Sequence, residues 1–182
     1  SCAAVTLRRC QNGEAATGTC PGTSARLQRV EVGGALQIPA ELIRRILSHA
    51  VDTYPAECCG LLVGRGEQVH AVEPVRNLHA HDRQDRFEID PVDHVRVFEA
   101  ARAVGDRIIG CYHSHPNGLA QPSSLDRRLA RRFGGPFGYL VVALGSDVPC
   151  EMYAGQITPE GDIIRTRLEV MEKSPDRVGP PQ

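Results

Sequence analysis

The chain has no tryptophan, and Phe and Tyr together number eight in 182 residues. Its core must therefore be filled by Leu, Ile, Val and Ala and not by large aromatic anchors. A charge excess of either sign is also missing, since 21 basic side chains face 22 acidic ones. That excludes the broad basic surplus on which nucleic-acid binding is built. No apolar run approaches the roughly 18–20 residues of a membrane span, and no apolar segment of a secretory signal stands at the N-terminus. Neither a nucleic acid nor a membrane is an expected partner. The seven cysteines contain no CxxC-type zinc pattern, and their odd number suggests no disulfide framework. Cys58 and Cys59 adjoin inside an apolar run, and Cys111 and Cys150 fall in predicted strands. These read as reduced core thiols, which fits a cytoplasmic, reducing location.

What is present is enough for one buried core, and one domain is the default at this length. Residues 1–31 are rich in Gly, Thr, Ala and Arg, with neither helical nor strand periodicity and no aromatic residue. They read as a disordered extension or a start-site artefact, and Cys2, Cys10 and Cys20 belong to them. Residues 173–182 are a similar tail. The working domain is expected over residues 32–172, without internal repeats. "IPAELIRRILSHAVDTYP" places Leu42, Ile43, Ile46, Leu47 and Ala50 on one helical stripe, with Pro39 at its start and Pro55 past its end. "CCGLLVG" and "QVHAVEPV" read as strands joined by the turn "GRGE". After the polar stretch "RNLHAHDRQD" and an extended "RFEID", Asp90 caps a second helix that Gly105 stops. "RIIGCYHSH" is a strand, "SSLDRRLARRF" a third helix, and "GYLVVALG", "CEMYAGQI" and "IIRTRLEV" are closing strands. This mixture of helices and hairpins is an α/β or α+β fold with a mixed sheet.

One stretch carries chemistry: "CYHSHPNGLAQPSSLD", Cys111 to Asp126. Side chains two apart on a strand project to the same face. His113 and His115 can therefore meet at one spot while Tyr112 and Ser114 face the other way. Pro116 ends the strand, and a Gly-containing loop lets the chain turn back to a helix whose first turn holds Asp126. Two imidazoles and a carboxylate leave a fourth tetrahedral position for water, which is the arrangement of catalytic zinc. Zinc brings the pKa of such a water from roughly 15.7 to about 7. A carboxylate base must then stand nearby, and Glu57, at the opening of "ECCGLLVG", is the candidate. Ser123 and Asp126 also fit S-x-x-D, the acidic variant of a helix capping box, so capping alone explains both residues. For Ser123 the two roles coexist, because a hydroxyl at a helix start can also donate to an oxyanion. His79 and His81 form a second H-x-H pair in a polar stretch that no strand frames, and they read as loop residues. Arg127, Arg128, Arg131 and Arg132 read as a solvated helix face.

"HSHPNGLAQPSSLD" resembles the JAMM (MPN+) metalloprotease signature H-[ST]-H-P-x6-S-x2-D at every fixed position. "YPAECCGLLVG", "RFEIDP" and "IIGCYHSHP" resemble the connecting segments of the family's compact prokaryotic members, and the likeness covers about Leu36 to Leu144. The resemblance implies a curved mixed sheet flanked by helices, akin to the cytidine deaminase core. It also implies zinc held by His113, His115 and Asp126, Glu57 as general base, and Ser123 stabilising the tetrahedral intermediate. The implied reaction is hydrolysis after the C-terminal glycine of a ubiquitin-like or sulfur-carrier protein of the ThiS/MoaD type. A homodimer is compatible with it.

Three alternatives share some of these features. RadC-like proteins carry a related H-x-H-P-x-G…P-S-x-x-D segment, but "ECCGLLVG" and "RFEIDP" favour the protease branch. A zinc deaminase needs H-x-E and P-C-x-x-C, and neither occurs. A non-catalytic MPN scaffold or interaction domain predicts a broken ligand set, whereas all five positions are intact.

Overall fold

A computed structural model describes residues 34–80, 85–116, 118–132, 135–144 and 151–172. The expected extension 1–31 and tail 173–182, together with Cys2, Cys10, Cys20, His81 and Cys150, lie outside the described residues. The elements run β1 (Ala35–Pro39), α1 (Ala40–Thr53), β2 (Cys59–Arg65), β3 (Gln68–Val75), α2 (Pro91–Ala103), β4 (Arg107–His115), α3 (Ser124–Ala130), β5 (Phe137–Ala143), β6 (Glu151–Ile157), β7 (Ile163–Arg165) and β8 (Arg167–Met171). The strands form one sheet in the order β7-β6-β5-β4-β2-β3-β1-β8. Pairing is mixed: β4–β5, β1–β3 and β1–β8 are parallel, the other neighbours antiparallel. This is the mixed-sheet fold expected from the sequence.

The sheet is curved until its ends nearly meet, and Thr166 marks the corner. Its backbone N–H donates to the Ala154 carbonyl on β6 at 3.0 Å. Its hydroxyl donates to the Gly34 carbonyl just before β1 at 2.7 Å. The segment "IIRTRLEV", expected as one strand, is therefore two, with β7 at one end of the sheet and β8 at the other. The sequence reading also missed β1. Four residues between Gly34 and Pro39, one of them the polar Gln37, are too few to resolve a period, and β1 acquires strand character from its two parallel neighbours.

Strand alternation divides the core into two layers. Tyr112, Leu62, Leu140 and Val142 face α1, whose Leu42, Ile43, Ile46 and Ala50 are buried as the stripe predicts. Cys59, Leu61, Cys111, Tyr139 and Val141 face the opposite way, under Val97 and Ala101 of α2 and Ala130 of α3. Asp90 caps α2 by accepting from the Val92 N–H, and Gly105 follows the helix with φ +75°. Helix α3 is shorter than expected, because the Arg132 N–H turns in to the Leu129 carbonyl at 2.9 Å. That three-residue step tightens and ends the last turn. Arg127 and Arg128 on the helix, and Arg131 and Arg132 just past its end, are all exposed. "RFEID" forms only one isolated bridge, Asn77 to Ile89.

Cys58, Cys59 and Cys111 are free and buried. Burial pushes the Cys58 thiol up to about 11 and the Cys111 thiol up to about 12, so neither is a reactive thiolate near neutral pH. Among the described residues no helix is long and apolar enough to cross a membrane.

Strands β4 and β5 approach each other closely because Gly110 pairs with Gly138. A methyl at Gly110 would lie 2.6 Å from the Gly138 carbonyl oxygen, a backbone atom that cannot swing away. Gly110→Ala should therefore cost about 1–3 kcal/mol by forcing the two strands apart. Denaturant unfolding reads this as a lowered midpoint, and an unchanged midpoint would contradict the packing.

Candidate metal centre

Strand β4 sits near the middle of the sheet between β2 and β5, and its last turn of the pleat delivers both histidines to the α2/α3 side. His113 is fully buried. Its ring stacks on Phe87 with centroids 4.4 Å apart and an interplanar angle of 24°, and tilts against Tyr139 at 5.3 Å. Packing holds the Nδ1 side of this ring, where the buried nitrogen has no hydrogen-bond partner, while Nε2 faces His115 and Asp126. Burial lowers its pKa, with Asp126 opposing, so the imidazole is held neutral. His115 is fixed differently: its Nδ1 meets the Leu119 carbonyl at 2.9 Å. A carbonyl only accepts, so the proton sits on Nδ1 and the Nε2 lone pair is left for a cation.

Asp126 is aimed by the helix start. The Ser123 Oγ accepts from the Asp126 N–H at 3.1 Å, and Asp126 Oδ2 accepts from the Ser123 N–H at 2.6 Å. Both halves of the capping box are present. Capping and ligation are thus not competing explanations for Asp126, since the cap is what orients its carboxylate. Burial opposes its ionisation, but hydrogen bonding to His113 and His115 outweighs this and holds the carboxyl well below the usual range.

The three side chains converge as the spacing predicts. His113 Nε2 lies 3.0 Å from His115 Nε2, Asp126 Oδ1 is 3.5 Å from His113 Nε2, and Asp126 Oδ2 is 3.4 Å from His115 Nε2. A tetrahedral ion with bonds of about 2.0–2.1 Å has ligand–ligand edges of about 3.3 Å. The triangle matches this size, and both imidazoles present Nε2 to its centre, so the donor set fits a zinc-sized ion. The same three residues are the group that could hold a metal ion among the described residues.

Glu57 also reaches the site, with Oε1 4.0 Å from His115 Nε2. It lies two residues before β2 and not on the strand as the sequence suggested. Burial raises its pKa to about 8; His115 opposes the shift, and Asp126 and Asp85 add to it. Ser123 is exposed at the rim, where its Oγ accepts from the Asp126 N–H and its side chain also hydrogen-bonds the Asp126 carboxylate. A cavity of about 430 Å³ opens here, lined by Glu57, Phe87, His115, Ser123, Leu125 and Leu129 among others. His79 does not take part: its Nε2 pairs with Glu88 at 2.9 Å.

Three further residues shape the site without a sequence signal. Phe87 and Tyr139 clamp His113 from elements far apart in the chain. Ser114, pointing away from the metal face, accepts from the Cys58 N–H at 2.9 Å and so pins the residue next to Glu57. Only the position of Ser114 between the histidines hinted at it.

The family of prokaryotic homologues of the JAB domain matches residues 39–155, which include the whole constellation. The chain belongs to that family. Within it, the chain is similar to the desampylase of Haloferax volcanii, 40% identical over 101 residues, spanning 52% of this chain and 72% of the relative. It is also similar to a Thermus thermophilus protease named for cleaving TtuB–protein conjugates, 32% identical over 114 residues, 63% of this chain and 71% of the relative. A Desulfitobacterium hafniense protein solved in solution superposes with a TM-score of 0.66 at 28% identity, covering 76% of this chain and 94% of that one. The family and these peptidase relatives make the chain a JAMM-type hydrolase.

The raised Glu57 pKa has a consequence for the metal-free protein. The unfolded carboxyl ionises near its ordinary value of 4.5 while the folded one keeps its proton to about 8. The folded state binds the extra proton between these values, so stability falls as pH rises through that window. In EDTA, urea unfolding should show this decline, and Glu57→Gln should be more stable than wild type by roughly 1–3 kcal/mol at pH 8 but not at pH 4.5. Equal stability at both pH values would contradict a buried, metal-facing Glu57.

Proposed function

We propose that the protein is a zinc-dependent peptidase or isopeptidase acting after the C-terminal glycine of a ubiquitin-like or sulfur-carrier protein. One observation carries this reading: a His, His, Asp triangle of ionic size with a carboxylate just outside it. Zinc held by His113, His115 and Asp126 would supply a Lewis acid and lower the pKa of a coordinated water.

The chain's own residues provide the rest. Glu57 is placed to take a proton from water and return it to the leaving amine. Its carboxyl, pushed up to about 8 by burial, is drawn back towards the ionised form by a neighbouring cation. Ser123, exposed at the rim of the cavity, can turn its hydroxyl to donate to the oxyanion that forms at the scissile carbonyl. Phe87, Leu125 and Leu129 line the cavity and exclude bulk water from one side of the reacting bond.

The substrate class is supported by the relatives, whose names refer to desampylation and TtuB-conjugate cleavage. Three buried free cysteines support a reducing, cytoplasmic setting. An intact ligand set speaks against a purely non-catalytic scaffold.

Purified protein should carry about one zinc per chain, and His115→Ala should lose most of it, as read by elemental analysis; full occupancy in the variant would count against the site. Glu57→Gln should retain the zinc and lose at least about 100-fold in turnover, since general-base catalysis supplies about 10²–10⁴-fold. A suitable substrate is a Gly-Gly-terminated carrier with cysteine amide-linked to its last glycine, with product weighed by mass spectrometry. Undiminished turnover would overturn the role of Glu57.

A further inference from the structure

Neither Glu57 nor the segment facing it is held by a regular element. Residues 56–58 precede β2, and residues 85–88 lie between a polar loop and α2 without strand or helix structure. Backbone bonds hold their ends, from the Ser114 N–H to the Cys58 carbonyl at 3.1 Å and from the Leu78 N–H to the Glu88 carbonyl at 2.9 Å. One buried side chain joins the two segments between those points. Asn77, 8% exposed, donates from Nδ2 to the Glu57 carbonyl at 2.9 Å and to the Arg86 carbonyl at 3.1 Å. Its Oδ1 accepts from the His79 N–H at 2.9 Å and the Glu88 N–H at 3.0 Å. An amide has two donors and two acceptor lone pairs, so every hydrogen-bonding position of this side chain is occupied.

The peptide that follows Glu57 is thereby gripped at both polar ends. Asn77 holds its carbonyl, and Ser114, between the two histidines, holds its N–H. The same amide grips the backbone on either side of Phe87, the ring that stacks on His113. Residues 20 and 9 positions from Asn77 are thus referred to one planar group.

We infer that Asn77 is the positioning residue of this site: it fixes the Glu57 backbone against the metal face and couples that position to the cleft wall carrying Phe87. The inference rests on the reading of Glu57 as general base. A base must lie within hydrogen-bond reach of the proton it moves, and displacement by about 1 Å can cost on the order of 100-fold in rate. Asn77 touches neither substrate nor metal in this scheme and acts through Glu57.

Asn77→Asp separates this role from a merely structural one. It keeps the oxygen that accepts from His79 and Glu88, and replaces the donor facing the Glu57 and Arg86 carbonyls with a second oxygen. Four proteins are compared as zinc-loaded full chains on the carrier–cysteine adduct: wild type, Glu57→Gln, Asn77→Asp and the double variant. Asn77→Asp is expected to keep about one zinc and a KM within about threefold of wild type, and to lose about 10–100-fold in kcat, as loss of outer-shell partners does. In the Glu57→Gln background the same change should leave the residual rate unaltered, because the group it positions is already gone. Asn77→Ala, checked by circular dichroism to be folded, repeats the test with a second side chain.

A wild-type kcat in Asn77→Asp overturns the inference, and so does an equal fold-loss in both backgrounds or a loss of zinc. Failure of both variants to fold overturns it as well, since the clamp would then serve the fold and not the base. Full activity in Glu57→Gln is a different failure: it removes the reading of Glu57 as base, whatever Asn77 does.

Discussion

The structure depends on two imidazole nitrogens held 3.0 Å apart at a buried position, His113 on one side and His115 on the other. Desolvated lone pairs this close repel unless a proton or a cation lies between them. Burial disfavours a proton on His113, whereas at His115 burial is outweighed by Asp126, the Leu119 carbonyl and Glu57, which favour one there. Asp126 then adds a carboxylate that its two histidine neighbours keep ionised. A zinc-sized cation resolves the whole arrangement at once, and the measured edges leave room for one.

Each ligand is fixed by a different physical device. His113 is locked by ring packing between Phe87 and Tyr139, His115 by one backbone carbonyl, and Asp126 by a helix cap. Because these devices belong to β5, the loop after β4, the start of α3 and the segment before α2, the site exists only in the folded chain. Metal binding is then coupled to folding, as in other sites whose ligands are assembled from separate elements. The peptide after Glu57 is held by the side chains of Asn77 and Ser114, which places a buried carboxylate just outside the strand.

The convergence of His113, His115 and Asp126 was legible in the sequence because their geometry is local. Period-two alternation on β4 brings His113 and His115 to one face, and S-x-x-D places Asp126 in a first helical turn. Both rules act over a few residues and survive into the fold. Glu57 reaches the triangle although it precedes the strand that the sequence suggests it opens. Phe87, Tyr139 and Asn77 were not legible as site residues. Their contacts join segments distant in sequence, and an aromatic or amide in a polar stretch has no local signature of what it will touch. The same limit hid β1 and the corner at Thr166, where partner strands and not periodicity decide the backbone. α3 ended early because of a local turn that its arginine-rich continuation did not reveal.

The central claim is that two imidazoles and one carboxylate, with no sulfur, surround the metal. X-ray absorption spectroscopy at the zinc edge of the loaded protein tests it directly. The account predicts a four-coordinate shell of nitrogen and oxygen only, at about 2.0–2.1 Å, with the outer-ring scattering of two imidazoles. A sulfur shell at about 2.3 Å, or a shell without imidazole scattering, would contradict it.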